Sequence, residues 1–182
     1  MHRLATAALA LALCAGPAAA QDPDLAKFVG IYVGSAVEPT ADPPVKRDID
    51  IVVEPYGKSG ISIRWVNVTL VDGRRDVPGV KRRADQVILA PSDNGSFYLA
   101  GEGYDPFATK RAMDPYTGDP LRWAYLDDAG LHVVSFAILE DGRYELQSYT
   151  RTLTKDGMGL GFQRMIDGEV KRNITGQAVR AE

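Results

Sequence analysis

The sequence predicts an all-β domain: an antiparallel up-and-down meander of about eight to ten strands that closes, or nearly closes, into a barrel. Three observations carry this expectation. Asp-Gly or Asn-Gly occurs at Asp72-Gly73, Asn94-Gly95, Asp141-Gly142, Asp156-Gly157 and Asp167-Gly168, and such pairs tolerate the positive φ angles of tight hairpin turns. The segments between them are short runs that are apolar or alternate between apolar and polar. No stretch keeps a 3.6-residue apolar period over three helical turns.

Taken in order, residues 1–20 read as a cleaved secretory signal. Met1-His2-Arg3 is a short basic start, Leu4 to Ala15 is an Ala/Leu run, and Ala18-Ala19-Ala20 is a small-residue cleavage site. A membrane anchor needs about 20 apolar residues, and this run meets Gly16-Pro17 first. A lipoprotein signal built on Cys14 wants a small residue before the cysteine, where this chain has Leu13. Cleavage after Ala20 leaves 162 of the 182 residues as one domain, 21–182, and loss of Arg3 takes the net charge from −3 to −4.

Gln21 to Ala26 forms a lead-in turn or short helix. The strands then run Phe28–Val37, Asp48–Glu54, Gly60–Leu70, Val80–Leu89, Ser96–Gly101, Leu121–Leu126, Leu131–Leu139, Arg143–Leu153, Gly159–Met165 and Val170–Val179. Within Gly60–Leu70 the apolar phase shifts from Ile61, Ile63 and Trp65 to Val66, Val68 and Leu70, which predicts a β-bulge near Trp65. Sequential antiparallel strands in this number remove their exposed edges by closure.

The first strand reads Phe28-Val29-Gly30-Ile31-Tyr32-Val33-Gly34. A glycine two residues before an aromatic, opening a β-meander, resembles the start of lipocalin-like proteins, which carry Gly-x-Trp there. Length, leader and strand order are similar to the wider calycin group of lipocalins, fatty-acid-binding proteins and avidins. The resemblance covers most of the mature chain in architecture and a few residues in motif. It implies a barrel with a ligand site in or at its mouth.

Composition narrows the chemistry. The mature part has no cysteine, hence no thiolate nucleophile, Cys-bound zinc or redox pair. One histidine remains, His132, too few for a multi-histidine metal site. No cofactor or metal is implied, and the mild negative charge argues against a nucleic-acid partner. After cleavage no integral membrane segment is expected. The leader and the lack of cysteine place the protein in the periplasm of a Gram-negative bacterium, or outside the cell.

The candidate ligand-binding residues are Tyr32, Trp65, Tyr104, Phe107, Tyr116, Trp123, His132 and Phe136. Tyr104, Phe107 and Tyr116 lie with Met113 in the long Pro- and Gly-rich stretch Glu102 to Pro120, either as a binding loop at a barrel mouth or as a plug packed there. Tyr32, Trp65, Trp123 and Phe136, with Phe97, Tyr149 and Phe162, line a cavity or fill the core of a small barrel. His132 is in phase with Val134, Phe136 and Ile138. It reads as a ligand or general base, or more simply as a satisfied core histidine. The basic group Arg74, Arg75, Lys81, Arg82 and Arg83 is either an anion site or a solvated hairpin tip beside Asp72, Asp76 and Asp85. Asp127-Asp128 and Glu140-Asp141 look like turn residues; Glu102 and Asp105 flank the long stretch. Arg64, Arg122, Gln147, Arg151 and Arg164 stand within strands, and if some of them point inward the interior is polar enough to bind a ligand. Alternation leaves the inward face open, because several strands are apolar on both sides.

Three functions follow. The first is a non-catalytic periplasmic carrier for a small apolar or amphipathic ligand. The second is an envelope contact protein, such as a scaffold, inhibitor or accessory subunit, with a filled barrel and an envelope protein as partner. The third is a cofactor-free isomerase or cyclase using His132 and one carboxylate.

Overall fold

The computed structural model describes residues 23–92, 97–101 and 114–181. Ten antiparallel strands follow one another: β1 (Gly30–Glu38), β2 (Val45–Tyr56), β3 (Gly60–Thr69), β4 (Lys81–Pro91), β5 (Tyr98–Gly101), β6 (Leu121–Asp127), β7 (Gly130–Ile138), β8 (Tyr144–Leu153), β9 (Gly157–Ile166) and β10 (Glu169–Arg180). Each pairs with its neighbours in sequence, and β1 pairs with β10, Tyr32 opposite Arg180 and Val37 opposite Thr175, so the barrel closes. A one-turn helix, α1 (Pro23–Ala26), precedes β1, and a short 3-10 turn, Pro115–Thr117, lies between β5 and β6.

The turns follow from local chemistry. Asp72 and Gly73 have φ 50° and 73°, and Asp167 and Gly168 have φ 50° and 82°, the positive pair a tight hairpin needs. Asp156-Gly157 works differently: Gly157 already belongs to β9, opposite Val179. Asn94-Gly95 lies outside the described residues.

The registers fix the inward face. Tyr32, Ile51, Trp65 and Asp85 stand opposite one another across β1 to β4. Ala124, Val133, Tyr149, Phe162 and Ile174 do so across β6 to β10. One end, the base, carries α1 and the β2–β3, β4–β5, β6–β7 and β8–β9 turns. The other, the mouth, carries the remaining connections, including the one between Gly101 and Leu121.

The base half of the interior is apolar and closed. Leu25 and Phe28 are buried beneath the barrel among Ile51, Val53, Ile61, Ile63, Val87, Leu89, Leu131, Val133 and Met158. Arg180 clasps this end. Its guanidinium donates to the Lys27 and Val29 carbonyls and to Tyr32 Oη, and lies 5.0 Å from the Tyr32 ring centroid. Tyr32 Oη in turn donates to the Phe28 carbonyl at 2.9 Å.

The expected bulge in β3 is absent: pairing with β2 and β4 runs unbroken from Ile61 to Thr69. The apolar phase changes because the coverings of the two faces change. Toward the mouth the inner positions, Asn67 and Thr69, border the polar end. On the outer face Val68 is fully buried, between Asp48 and Arg82. The β3–β4 connection folds back over it, with Arg75 reaching Asp48 at 3.6 Å and Arg82 donating to the Arg75 carbonyl. A register irregularity does occur in β10, between Val170 and Arg172.

The closing seam is built from small residues, Gly34 opposite Ala178 and Ala36 opposite Gly176. A Cβ on Gly34 would lie 2.0 Å from the Gln177 carbonyl oxygen and 2.5 Å from Ala178 Cα, so β1 and β10 can approach only without it. Gly34→Val is expected to cost about 3 kcal/mol or more in urea unfolding. Gly161→Ala, whose Cβ would meet Thr150 at 3.5 Å, should stay within about 1 kcal/mol of wild type. Equal losses at the two sites would contradict a sterically tight seam.

Candidate functional site in the barrel mouth

The mouth half of the interior is lined by polar and charged side chains. The ladders place Glu38 (β1), Arg47 (β2), Asn67 (β3), Arg83 and Asp85 (β4), Arg122 (β6), Ser135 (β7), Glu145 and Gln147 (β8), Arg164 (β9) and Arg172 (β10) on the inward face. Arg83 and Asp85 are inward by register yet exposed, beside the stretch of β4 that β5, pairing only from Ile88 onward, leaves uncovered. We call this polar half the vestibule.

The floor is aromatic. Trp65 and Tyr149 meet across the barrel with ring centroids 5.3 Å apart, and Tyr149 and Phe162 are 4.8 Å apart, both pairs tilted. The next inward residue below Tyr149 on β8 is Arg151, opposite Leu131 and Leu160. Arg151 is 4% exposed. Its guanidinium carbon lies 5.3 Å from the Trp65 ring and 5.9 Å from the Tyr149 ring, a cation–π arrangement. Its Nε and Nη1 are buried without a hydrogen-bond partner.

The carboxylates of the vestibule are already engaged. Glu38 accepts from Arg47 at 2.7 Å and from Arg172 at 2.9 Å. Glu145 accepts from Arg164 Nε at 2.7 Å and from Gln147, whose Oε1 accepts from Tyr149 Oη at 3.0 Å. Asp85 lies 3.5 Å from Arg122. Burial pushes the Glu145 carboxyl up, but the hydrogen bonds from Arg164 and Gln147 outweigh it and leave it below the usual carboxylate range. Burial, with Asp85 nearby, raises the Tyr149 phenol, which stays neutral. Burial pulls Arg151 down to about 10, so it is still a cation at pH 7.

The residues expected from sequence separate into four groups. Trp65 is at the vestibule floor. Tyr32 is in the sealed base, where Phe28 and Arg180 engage its hydroxyl. Trp123, His132 and Phe136 lie on the outer wall, because Ala124, Val133 and Ser135 take the inward positions of β6 and β7. Tyr116 is 85% exposed in the 3-10 turn. Tyr104 and Phe107, with Met113, Glu102 and Asp105, lie outside the described residues.

His132 stacks on Tyr125 at 4.6 Å and pairs with Asp127 Oδ1 at 2.9 Å and Thr150 Oγ1 at 3.2 Å, so its partners are on the outer wall. The bond to His132 is the main cause that holds the Asp127 carboxyl below its usual range. The basic group splits. Arg74 pairs with Asp76 and Arg75 with Asp48, while Arg83 faces the vestibule. Of the strand polar residues, Arg64 points outward to Glu54, and Arg122, Gln147, Arg151 and Arg164 point inward. Among the described residues no three His, Cys, Asp or Glu side chains converge as a metal cradle.

No protein-family model matches this chain, and no curated protein matches it in sequence.

Two outcomes follow from this geometry. Burial holds the folded pKa of Arg151 down at about 10. Its charge therefore opposes folding below about pH 10, and that opposition fades as pH rises above it toward the ordinary arginine range. Arg151→Met should leave the ligand-free protein as stable at pH 7 as wild type, or up to about 3 kcal/mol more stable. A loss above about 2 kcal/mol in urea unfolding would mean that Arg151 is a structural support. His132→Gln should cost about 1 kcal/mol through the outer-wall hydrogen bonds. It should leave small-molecule affinity unchanged in calorimetry, and a changed affinity would relocate the site.

Proposed function

We propose that the mature domain is a periplasmic, non-catalytic binding or carrier protein for a small, partly apolar ligand held in the mouth half of the barrel. The observation that carries this reading is the vestibule itself: a water-accessible, charged wall over an aromatic floor, closed below by a packed base. Binding sites combine apolar surface with a few placed polar groups, and Trp65, Tyr149 and Phe162 beside Arg122, Gln147 and Arg164 supply both. The outer wall carries Asp48, Asp50, Glu54, Arg64 and Arg82, side chains suited to water and costly against acyl chains. A calycin-like carrier exported by its leader fits these features.

A second reading has its own observation. Ile31, Val33 and Val179 on adjoining strands are 53%, 48% and 60% exposed, with Val33 directly opposite Val179. Such a patch suits contact with another envelope protein.

Native mass spectrometry on the protein purified from its own periplasm separates the two. The carrier reading expects the mass of residues 21–182 plus a reproducible increment that disappears on denaturation. The bare mass, with a second polypeptide co-purifying, would favour the contact protein. Retention of residues 1–20 would overturn the assignment of the leader.

A further inference from the structure

We propose that the ligand is a planar organic acid, whose carboxylate docks on the buried guanidinium of Arg151 while its flat apolar body lies against Trp65, Tyr149 and Phe162. This rests on the carrier reading and adds the chemical class of the ligand.

A guanidinium in apolar surroundings is costly unless it is paired and hydrogen-bonded. Arg151 has ring faces beside it and Leu131 and Leu160 flanking it, but no carboxylate partner among the described residues, and its Nε and Nη1 are unfilled. The vestibule carboxylates do not supply one, since Glu38, Glu145 and Asp85 already hold Arg47 and Arg172, Arg164, and Arg122 respectively. An anion from outside can accept from these unfilled N–H donors, a charge-assisted hydrogen bond of the kind carboxylates make with arginine.

The wall's charge points the same way independently. Below the rim, the inward-facing ionised side chains are the cations Arg47, Arg83, Arg122, Arg151, Arg164 and Arg172 and the anions Glu38, Asp85 and Glu145. Among the described residues six cations face three anions, in a protein whose net charge is −3. Such a surplus draws an anion inward.

Charge and shape narrow the class. One guanidinium at the bottom of an apolar layer balances a single negative charge, which suits a carboxylate better than a dianionic phosphate. The tilted rings of Trp65, Tyr149 and Phe162 offer faces and edges to a flat conjugated body. Polar substituents at its far end would meet Gln147, Arg122 and Arg164.

The test compares naphthalene-2-carboxylate with naphthalene-2-carboxamide, of nearly equal shape but different charge, by titration calorimetry on the exported protein after bound material is removed. The carboxylate is expected to bind at least tenfold more tightly. Arg151→Met should abolish that preference, and Arg64→Met, on the outer wall, should keep it. Equal binding of the two probes, or a preference that survives in Arg151→Met, overturns the acid assignment and leaves the carrier reading standing. Binding of neither probe, together with the bare mass in native spectrometry, overturns both. If Arg151→Met does not fold, Arg151→Lys serves instead: it keeps a charge without the planar fork and should retain only part of the preference, and full retention would count against docking on the guanidinium.

Discussion

A charged guanidinium buried without a counter-ion among the described residues is the condition around which this barrel is arranged. Arg151 reaches the middle of the interior from β8, where inward residues otherwise grade from Glu145 and Gln147 at the mouth to Leu153 at the base. Its neighbours lessen the cost of the charge only in part. The Trp65 and Tyr149 faces offer cation–π attraction of about 1 to 2 kcal/mol when desolvated, against several kcal/mol for stripping water from an ion. The residual demand is for an anion, and it lies beside the Trp65 and Tyr149 rings at the inner end of the polar half.

The fold tolerates such an interior because its walls do not depend on it. Closure through β1 and β10 pairs the edges of the sheet, and the base half supplies a packed apolar core. The Arg180–Tyr32–Phe28 clasp and the buried Leu25 hold that core shut from below. Stability concentrated at one end leaves the other end free to carry unpaired and mutually repelling cations, such as Arg83 beside Arg47. The outer-wall group of His132, Tyr125, Asp127 and Thr150 belongs to the wall, which removes His132 from the interior.

Much of the fold was legible in the sequence. All ten strands stand where alternation and the Asp-Gly turns place them, with ends displaced by no more than three residues. The positive φ values at Asp72-Gly73 and Asp167-Gly168 are the physical content of that signal. The inward face was not legible, for a reason visible in β3. Ile61, Ile63 and Trp65 face in, whereas Val66 and Val68 face out, the latter under the β3–β4 connection. A phase change read as a bulge was a change in what covers each face. Trp123, His132 and Phe136 look like interior residues for the same reason: β6 and β7 are apolar on both sides. Arg151 sits in a strand with Thr150 and Thr152 beside it, and alternation leaves open whether it points inward or outward. Only the register, opposite Leu131 and Leu160, turns it inward, and pairing partners so distant in sequence cannot be read from alternation along one strand.

The most direct measurement is a high-resolution crystal structure of the protein as isolated from its native source, examined at Arg151. Density for a flat molecule on the aromatic floor, with an anionic group within hydrogen-bonding distance of Nε or Nη1, is the expected result. Carboxylates or carbonyls of the protein's own chain accepting from these nitrogens would contradict the claim, because the charge would then be satisfied from within and no ligand would be called for.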